Sequence, residues 1–308
     1  MRRVQVPELV HGSTLSQLQL KPYHPTRKAG LTRVIRGVAV HPTRSRTILV
    51  PKWADDRWLD VRLKAAALQL ARSDAITSHV SAALLHGWAL PLKLHRDERI
   101  HVTSRFGVDR FKEVVSHRQR EVSCIEAYDI RLTGHSETLR HIAGLLSEEE
   151  LLVLLEGVCG DWHGPPSTTP EELLDMVPEW PRFRGSHPLL RVLPQVRTGV
   201  ASPQETRLRR SIMRHGLPEP LVSHPVVLDG TTFHPDLSYP DLRIALEYEG
   251  DHHRTDARQW ESDIRREELF REAGWVYLRV TRSTNLLVLL DRLAQAHADR
   301  GGSRPTSG

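Results

Sequence analysis

At 308 residues, with 39% hydrophobic side chains, the chain is long enough for two domains that each bury a core. Its net charge of +5 and pI near 9.5 permit nucleic-acid contact without requiring it. Two cysteines, Cys124 and Cys159, exclude a disulfide framework and a cysteine-based zinc site, and no apolar run approaches the roughly 20 residues of a membrane span. Met1-Arg2-Arg3 runs into Val4, Gln5, Val6, Pro7 and Glu8, which lacks the apolar stretch of a signal peptide, so a cytoplasmic protein is expected. Arginine outnumbers lysine, which suits bidentate phosphate contacts, although a composition-biased genome gives the same excess. The 18 histidines follow no zinc-helix spacing and are expected at surface and turn positions.

Residues 1–30 show no clear periodicity, and 31–42 read as a short strand ending at His41-Pro42. Leu59, Leu63, Ala66, Ala67 and Leu70 recur at helical spacing and predict a helix over 56–71. A second helix runs to Leu85, with Ser78 as its cap and Gly87 as its stop. Strands follow at 99–103 and 113–117, then helices at 135–146 and 148–158, the latter opened by a Ser147–Glu150 capping box. The acids Glu148 to Glu150 suit a helix N-terminus and read as structural. This layout, carried by SHVSAALLHG, RIHVTSRF and VVSHRQR, resembles the core domain of AbiEi-type antitoxins and implies a toxin or other defence-system protein as partner. Where that family often has Arg-Thr-x-x-Asp, this chain has Glu137, Thr138 and His141, and the winged helix expected before LTRVIRGVAV is truncated or absent.

Prolines and glycines over 161–200 mark a linker, with one short helix from Pro170 after a Thr169 cap. The expected organisation is an N-terminal mixed α+β domain over 1–160, the linker, a C-terminal domain over 201–300 and a disordered tail over 301–308. Ser202, Pro203 and Glu205 open a helix that ends at Gly216. Strands at 221–228 and 231–239 are joined by Asp229-Gly230, a two-residue hairpin turn, and a third strand covers 243–249. A helix over 257–273, capped by Asp256 and Gln259 and stopped by Gly274, a strand over 276–281 and a helix over 284–298 complete the order αβββαβα.

The third strand and its predecessor carry the acids. Leu237 and Tyr239 alternate with Asp236 and Ser238, and Ile244, Leu246 and Tyr248 alternate with Ala245, Glu247 and Glu249. A four-residue turn over 240–243 pairs Tyr239 with Ile244, Leu237 with Leu246, and Asp236 with Glu247. Directly opposed carboxylates repel, so a proton, a nearby Arg or His, or a divalent cation must offset the pair, unless this is simply the wet face of a hairpin.

Pro235-Asp236 followed by Glu247-x-Glu249 resembles the PD-(D/E)xK nuclease signature, with Glu249 where lysine is usual. The longer string DLSYPDLRIALEYEGDHH, then Asp263-x-x-Arg266, then GWVYLRVT, resembles very-short-patch-repair (Vsr-like) endonuclease domains. The resemblance implies a restriction-endonuclease-like α/β fold and a DNA endonuclease dependent on Mg²⁺ or Mn²⁺, used in repair or in phage and mobile-element defence. It implies Asp236 and Glu247 as metal ligands. Glu249 is then a further ligand or general base, or else a structural ion pair with His234. His253, beside His252, acts as general base or steadies the leaving phosphate. Arg254, Arg258, Arg265 and Arg266 face DNA phosphates or form a solvated helix face. Glu205 matches the first-helix acid of the fold, yet its capping position explains it without catalysis. The rival reading is a nucleic-acid-binding or antitoxin-like regulator whose fold has lost its chemistry.

Overall fold

The computed structural model describes residues 1–11, 32–107, 112–249 and 257–302, without the side chains of Pro42 and 257–263. The chain is mixed α/β and divides into two compact units, one of residues 1–151 with 180–190, the other of 152–179 with 191–308.

In the first unit, β1 (Arg2–His11), β2 (Thr32–Ile35) and β3 (Val38–Val50) form an antiparallel sheet in the order β1-β3-β2. Arg2–His11, within a stretch that shows no clear periodicity in the sequence, is thus a strand. Val6 and Val10, on either side of Pro7, are buried, and the register shifts between Pro7 and Leu9, next to a proline that offers no N–H to the ladder. The short strand expected over 31–42 becomes a hairpin through Arg36 and Gly37, whose φ of +87° suits the glycine.

Helix α1 (Asp56–Ala71) begins where Asp55 accepts the Trp58 N–H at 2.7 Å. It buries Trp58, Val61, Ala65 and Leu68 in one core with Val50 and Ile48 of the first sheet and Ile100, Val102, Ile130 and Leu132 of a second. That second sheet is mixed, in the order β6-β5-β4-β8-β7, from β4 (Ile76–Thr77), β5 (Ile100–Ser104), β6 (Val114–Arg118), β7 (Cys124–Ala127) and β8 (Ile130–Thr133). Helix α2 (His79–Leu85) follows β4, α3 (Leu92–His95) lies between α2 and β5, and α4 (His135–Ile142) follows β8.

Ser78 occupies the cap position of α2 but does not cap it, because its hydroxyl meets His79 Nδ1 at 2.9 Å and accepts from Thr103 at 2.8 Å. His79, in the left-handed region at φ +50°, stacks on His117 at 3.4 Å between ring centroids and on His141 at 4.1 Å, both within 9° of parallel. His101 Nδ1 lies 3.3 Å from His117 Nε2, while its Nε2 lies 3.3 Å from Asp97. His141 Nε2 meets Glu137 and Gln119. Four histidines expected at surface and turn positions therefore form a cluster, drawn from two helices and two strands that are far apart in sequence.

Helix α5 (Glu148–Cys159) opens with the expected Ser147–Glu150 capping box. Residues 161–200, read as a linker, carry α6 (Pro170–Met176), with its Thr169–Glu172 capping box, and α7 (Ser186–Val192), and they bury Leu173, Leu189 and Leu193.

In the second unit, Ser202 caps α8 (Pro203–Arg214) as expected. The two strands expected next each break in two, giving β9 (Leu221–Val222), β10 (Val226–Leu228), β11 (Thr231–Phe233) and β12 (Leu237–Tyr239). The breaks fall at Pro225, after Ser223 at φ +47°, and at Pro235, since neither proline can donate to a ladder. Strands β10 and β11 pair alone through the expected turn, in which Asp229 and Gly230 have φ of +46° and +71°.

The main sheet runs β14-β13-β12-β9, with β13 (Ile244–Glu249) antiparallel to β12 and parallel to β14 (Val276–Thr281). One face, made by Leu237, Tyr239, Ile244, Leu246, Leu278 and Val280, packs on Leu208 and Ile212 of α8 and on Leu289, Leu290 and Leu293 of α10 (Leu286–Asp299). The other face carries Ala245 and Tyr277 and packs on Phe270 of α9 (Ala257–Glu272) and on Phe233. Helix α10 starts two residues later than expected, where Asn285 accepts the N–H groups of Leu287 and Val288. Of the expected tail, residues 303–308 lie outside the described residues, as does the Asp256–Gln259 capping box of α9.

Candidate active site

The register expected around the turn holds, with Leu237 opposite Leu246, Ser238 opposite Ala245 and Tyr239 opposite Ile244. A short 3₁₀ turn at Pro240–Leu242 closes it, and Arg243 takes the left-handed conformation at φ +51°. Alternation from the Ser238–Ala245 pair puts residues 236, 247 and 249 on the face that packs against α9. Although Asp236 precedes β12, its backbone stays tied to the sheet, its carbonyl accepting the Ser223 N–H at 3.1 Å. Its carboxylate reaches back across the pair and accepts the Tyr248 N–H at 2.7 Å.

Parallel pairing with β14 sets Tyr277 beside Ala245 and Arg279 beside Glu247. The Tyr277 hydroxyl donates to Glu247, and Arg266 of α9 forms an ion pair with the same carboxylate. Arg279 pairs with Glu249 and lies 3.3 Å from Glu267. Of the possible answers to carboxylate repulsion, the described residues supply arginines.

Burial raises the Asp236 carboxyl above its ordinary range, opposed by the Tyr248 N–H and by the charge of Arg266. Glu205, buried on α8, is pushed up to about 7 by burial and then by the negative charge of Asp236, against the Ala201 N–H that it accepts at 2.8 Å. Its capping role is real, with the Glu205 N–H bonded to Ser202 Oγ at 3.3 Å, and it is also an acid within the field of Asp236. Tyr277 is held neutral by burial and by Glu247. Burial works against the charge of Arg279, but Glu249 and Glu267 outweigh it and raise its pKa.

The two acids expected as metal ligands, Asp236 and Glu247, are thus brought to one face. Glu249 is on that face too, but the ion pair considered for it with His234 does not form. The break at Pro235 takes His234 out of the ladder, where its Nδ1 lies 3.1 Å from the Ser223 carbonyl. His253, Arg254 and the Arg258 side chain lie outside the described residues. Arg265 is exposed, whereas Arg266, one position on, meets Glu247.

Arg266 was expected to face DNA phosphates or solvent rather than to pair with Glu247, and Tyr277 and Arg279 were given no role, yet a signal was present for each. Arg266 stands four residues before the core Phe270 and so on the same helix face. Tyr277 and Arg279 alternate with the apolar Val276, Leu278 and Val280, which places them on the acidic face of the sheet.

No family model, curated protein or solved structure matches this chain. The site therefore rests on its own chemistry. Among the described residues no group of three or more His, Cys, Asp or Glu is arranged to hold a metal ion, the histidine cluster included. Two carboxylates still fit Mg²⁺, which usually takes one or two protein carboxylates and keeps water and substrate phosphate oxygens as its other ligands. Asp236 and Glu247 would hold it, and bound there it would polarise a phosphoryl oxygen and lower the pKa of water. No helix among the described residues is long and apolar enough to cross a membrane.

Proposed function

We propose that the second unit is a DNA endonuclease of the restriction-endonuclease-like, Vsr-like kind, dependent on Mg²⁺ or Mn²⁺ and serving repair or defence against phage and mobile elements. The observation that carries this reading is the gathering of Asp236 and Glu247 from neighbouring segments onto one sheet face, with the acid Glu205 in the field of Asp236. Hydrolysis of a phosphodiester needs such oxygen donors to seat a cation against a nonbridging oxygen. Glu249 serves as an additional acid rather than a positive charge. DNA is the partner of this unit, and a toxin or other defence protein is the partner proposed for the first.

A second reading is favoured by the ion pairs of Glu247 with Arg266 and Glu249 with Arg279, which neutralise the acids without a metal. On that reading the unit binds nucleic acid, or acts as an antitoxin-like regulator, and cuts nothing. Nicking of supercoiled plasmid separates the two. The wild type is expected to nick with Mg²⁺ or Mn²⁺ and to stop on addition of a chelator, while Asp236→Asn is expected to lose the activity by at least about 100-fold. Equal nicking by both proteins would assign the activity to another site or to a contaminant.

A further inference from the structure

We infer that Arg266 is the cationic residue of the proposed cleavage site, the group that meets the substrate phosphate as its negative charge grows. This inference rests on the nuclease reading. In that cleavage the oxygen of a water molecule bonds to phosphorus and gives its proton to solvent. The bond from phosphorus to the leaving sugar oxygen breaks, and that oxygen takes a proton from solvent. Between the two events the phosphoryl group carries one more negative charge than the diester, and fixed positive charge nearby lowers the barrier. Position 249, two residues after Glu247 on the same strand face, holds a carboxylate and cannot supply that charge.

The neighbouring arginines differ in how far their charge is committed. Arg279 is shared between Glu249 and Glu267, and Arg271 also pairs with Glu267, at 2.5 Å. Arg265 is exposed on the flank of α9. Among the described residues Arg266 forms its ion pair with Glu247, its charge is felt at both Asp236 and Tyr277, and its side chain is 27% exposed. The Phe233 ring, 5.5 Å from the guanidinium carbon, holds it from the other side. Its Nε is buried and has no hydrogen-bond partner among the described residues, so the guanidinium retains donor capacity beyond the Glu247 contact. Arginine presents its donors in a planar fork that matches phosphate oxygens, and it stays charged whatever the acids around it do.

The test compares Arg266→Gln, Arg266→Lys and the double change Arg266→Gln with Glu249→Lys against wild type, by two readouts. In thermal melts with MnCl₂, Arg266→Gln is expected to gain at least as much stability as wild type, since the guanidinium no longer competes with the ion for Glu247. In plasmid nicking the same variant is expected to lose about 100-fold or more, the usual effect of removing one group that stabilises transition-state charge. Arg266→Lys, which keeps a charge and a partner for Glu247, is expected to fold and to nick faster than the glutamine variant, and Glu249→Lys is expected to restore part of what Arg266→Gln lost. An arginine that merely neutralises the acids predicts the same gain in manganese stabilisation but the opposite sign in nicking, which then rises once the arginine is gone. Nicking by Arg266→Gln at or above the wild-type rate overturns this inference and leaves the nuclease reading standing. Absence of nicking by wild type with either metal overturns both. Should Arg266→Gln fail to fold, Arg266→Lys decides alone, and a folded lysine variant with no nicking above the Asp236→Asn background counts against a role for charge at this position.

Discussion

Arg209→Ala is expected to destabilise the second unit by about 3–5 kcal/mol, the range for leaving one member of a buried ion pair without its partner. The Arg209 side chain on α8 is fully buried and joins Glu156 through one guanidinium nitrogen and Glu219 through the other. Glu156 is equally buried, and it also accepts from Thr206 Oγ1 at 2.6 Å and from the Arg197 N–H at 3.0 Å. Arg197 closes the network on Glu219 at 2.8 Å. Burial alone raises the Glu156 carboxyl above its ordinary range, and Arg209 is the largest force holding it down. Without the guanidinium, Glu156 must take a proton or remain an uncompensated charge in the interior. The double change Arg209→Met with Glu156→Leu removes both charges, so it is expected to recover most of the loss. Calorimetry checks this, because a chain of two units need not melt in one transition and only the transition of the second unit should move. A single variant within about 1 kcal/mol of wild type, or a double variant no better than the single, would show that the network contributes packing rather than charge pairing.

This network explains why the division of the chain was hard to read. Glu156 lies in the second half of α5, a helix whose capping box and apolar run place it with the first unit, and nothing in its local pattern announces a buried partner 53 residues away on α8. Long-range ion pairs leave no period in the sequence. Residues 161–200 were misleading for a related reason. Their prolines and glycines fit a linker, but Leu173, Leu189 and Leu193 are buried, and burial by distant elements outweighs local turn chemistry.

Elements with local signals were legible. The helix over 56–71, the Ser147 capping box, the Thr169 and Ser202 caps and the Asp229-Gly230 turn all act through neighbours within a few residues. The hairpin register was also legible, since a slip by one residue would turn Leu237, Leu246 and Ile244 away from α8 and α10. What the alternation hid was the break at Pro235, which carries an apparently continuous strand from one sheet to another. The candidate site followed the same division. Its acids stood out by spacing, while Arg266 and Tyr277 reach Glu247 from a helix and a strand that only the tertiary fold brings there.

Acid is expected to undo the first unit over the window from about pH 6.5 to about pH 4, and the histidine cluster is the reason. Burial is the largest cause lowering every member, and like charge from neighbouring imidazoles adds to it for His79 and His117, bringing His79 to about 2 and His117 to about 4. His101 is lowered by burial and by Arg99, against the pull of Asp97. His141 is lowered by burial and by Arg140, against the pull of Glu137. The sign follows from proton counting. In the unfolded chain each ring binds a proton as pH falls through about 6.5, whereas the folded cluster resists until far lower, so stability is fully present above pH 6.5 and drains as pH drops. Each ring contributes a slope of at most about 1.4 kcal/mol per pH unit within its own window. Proton NMR of the imidazole Cε1–H signals is the direct check. His79 and His117 are expected to stay neutral down to about pH 5, where an unfolded reference is already charged. His79→Asn is expected to reduce the acid dependence while keeping the backbone, because asparagine accepts the left-handed conformation that His79 holds at φ +50°. A His79 signal that titrates near pH 6.5 in the folded protein would mean that the rings do not stack in solution, and the acid sensitivity would then have to come from elsewhere in the unit.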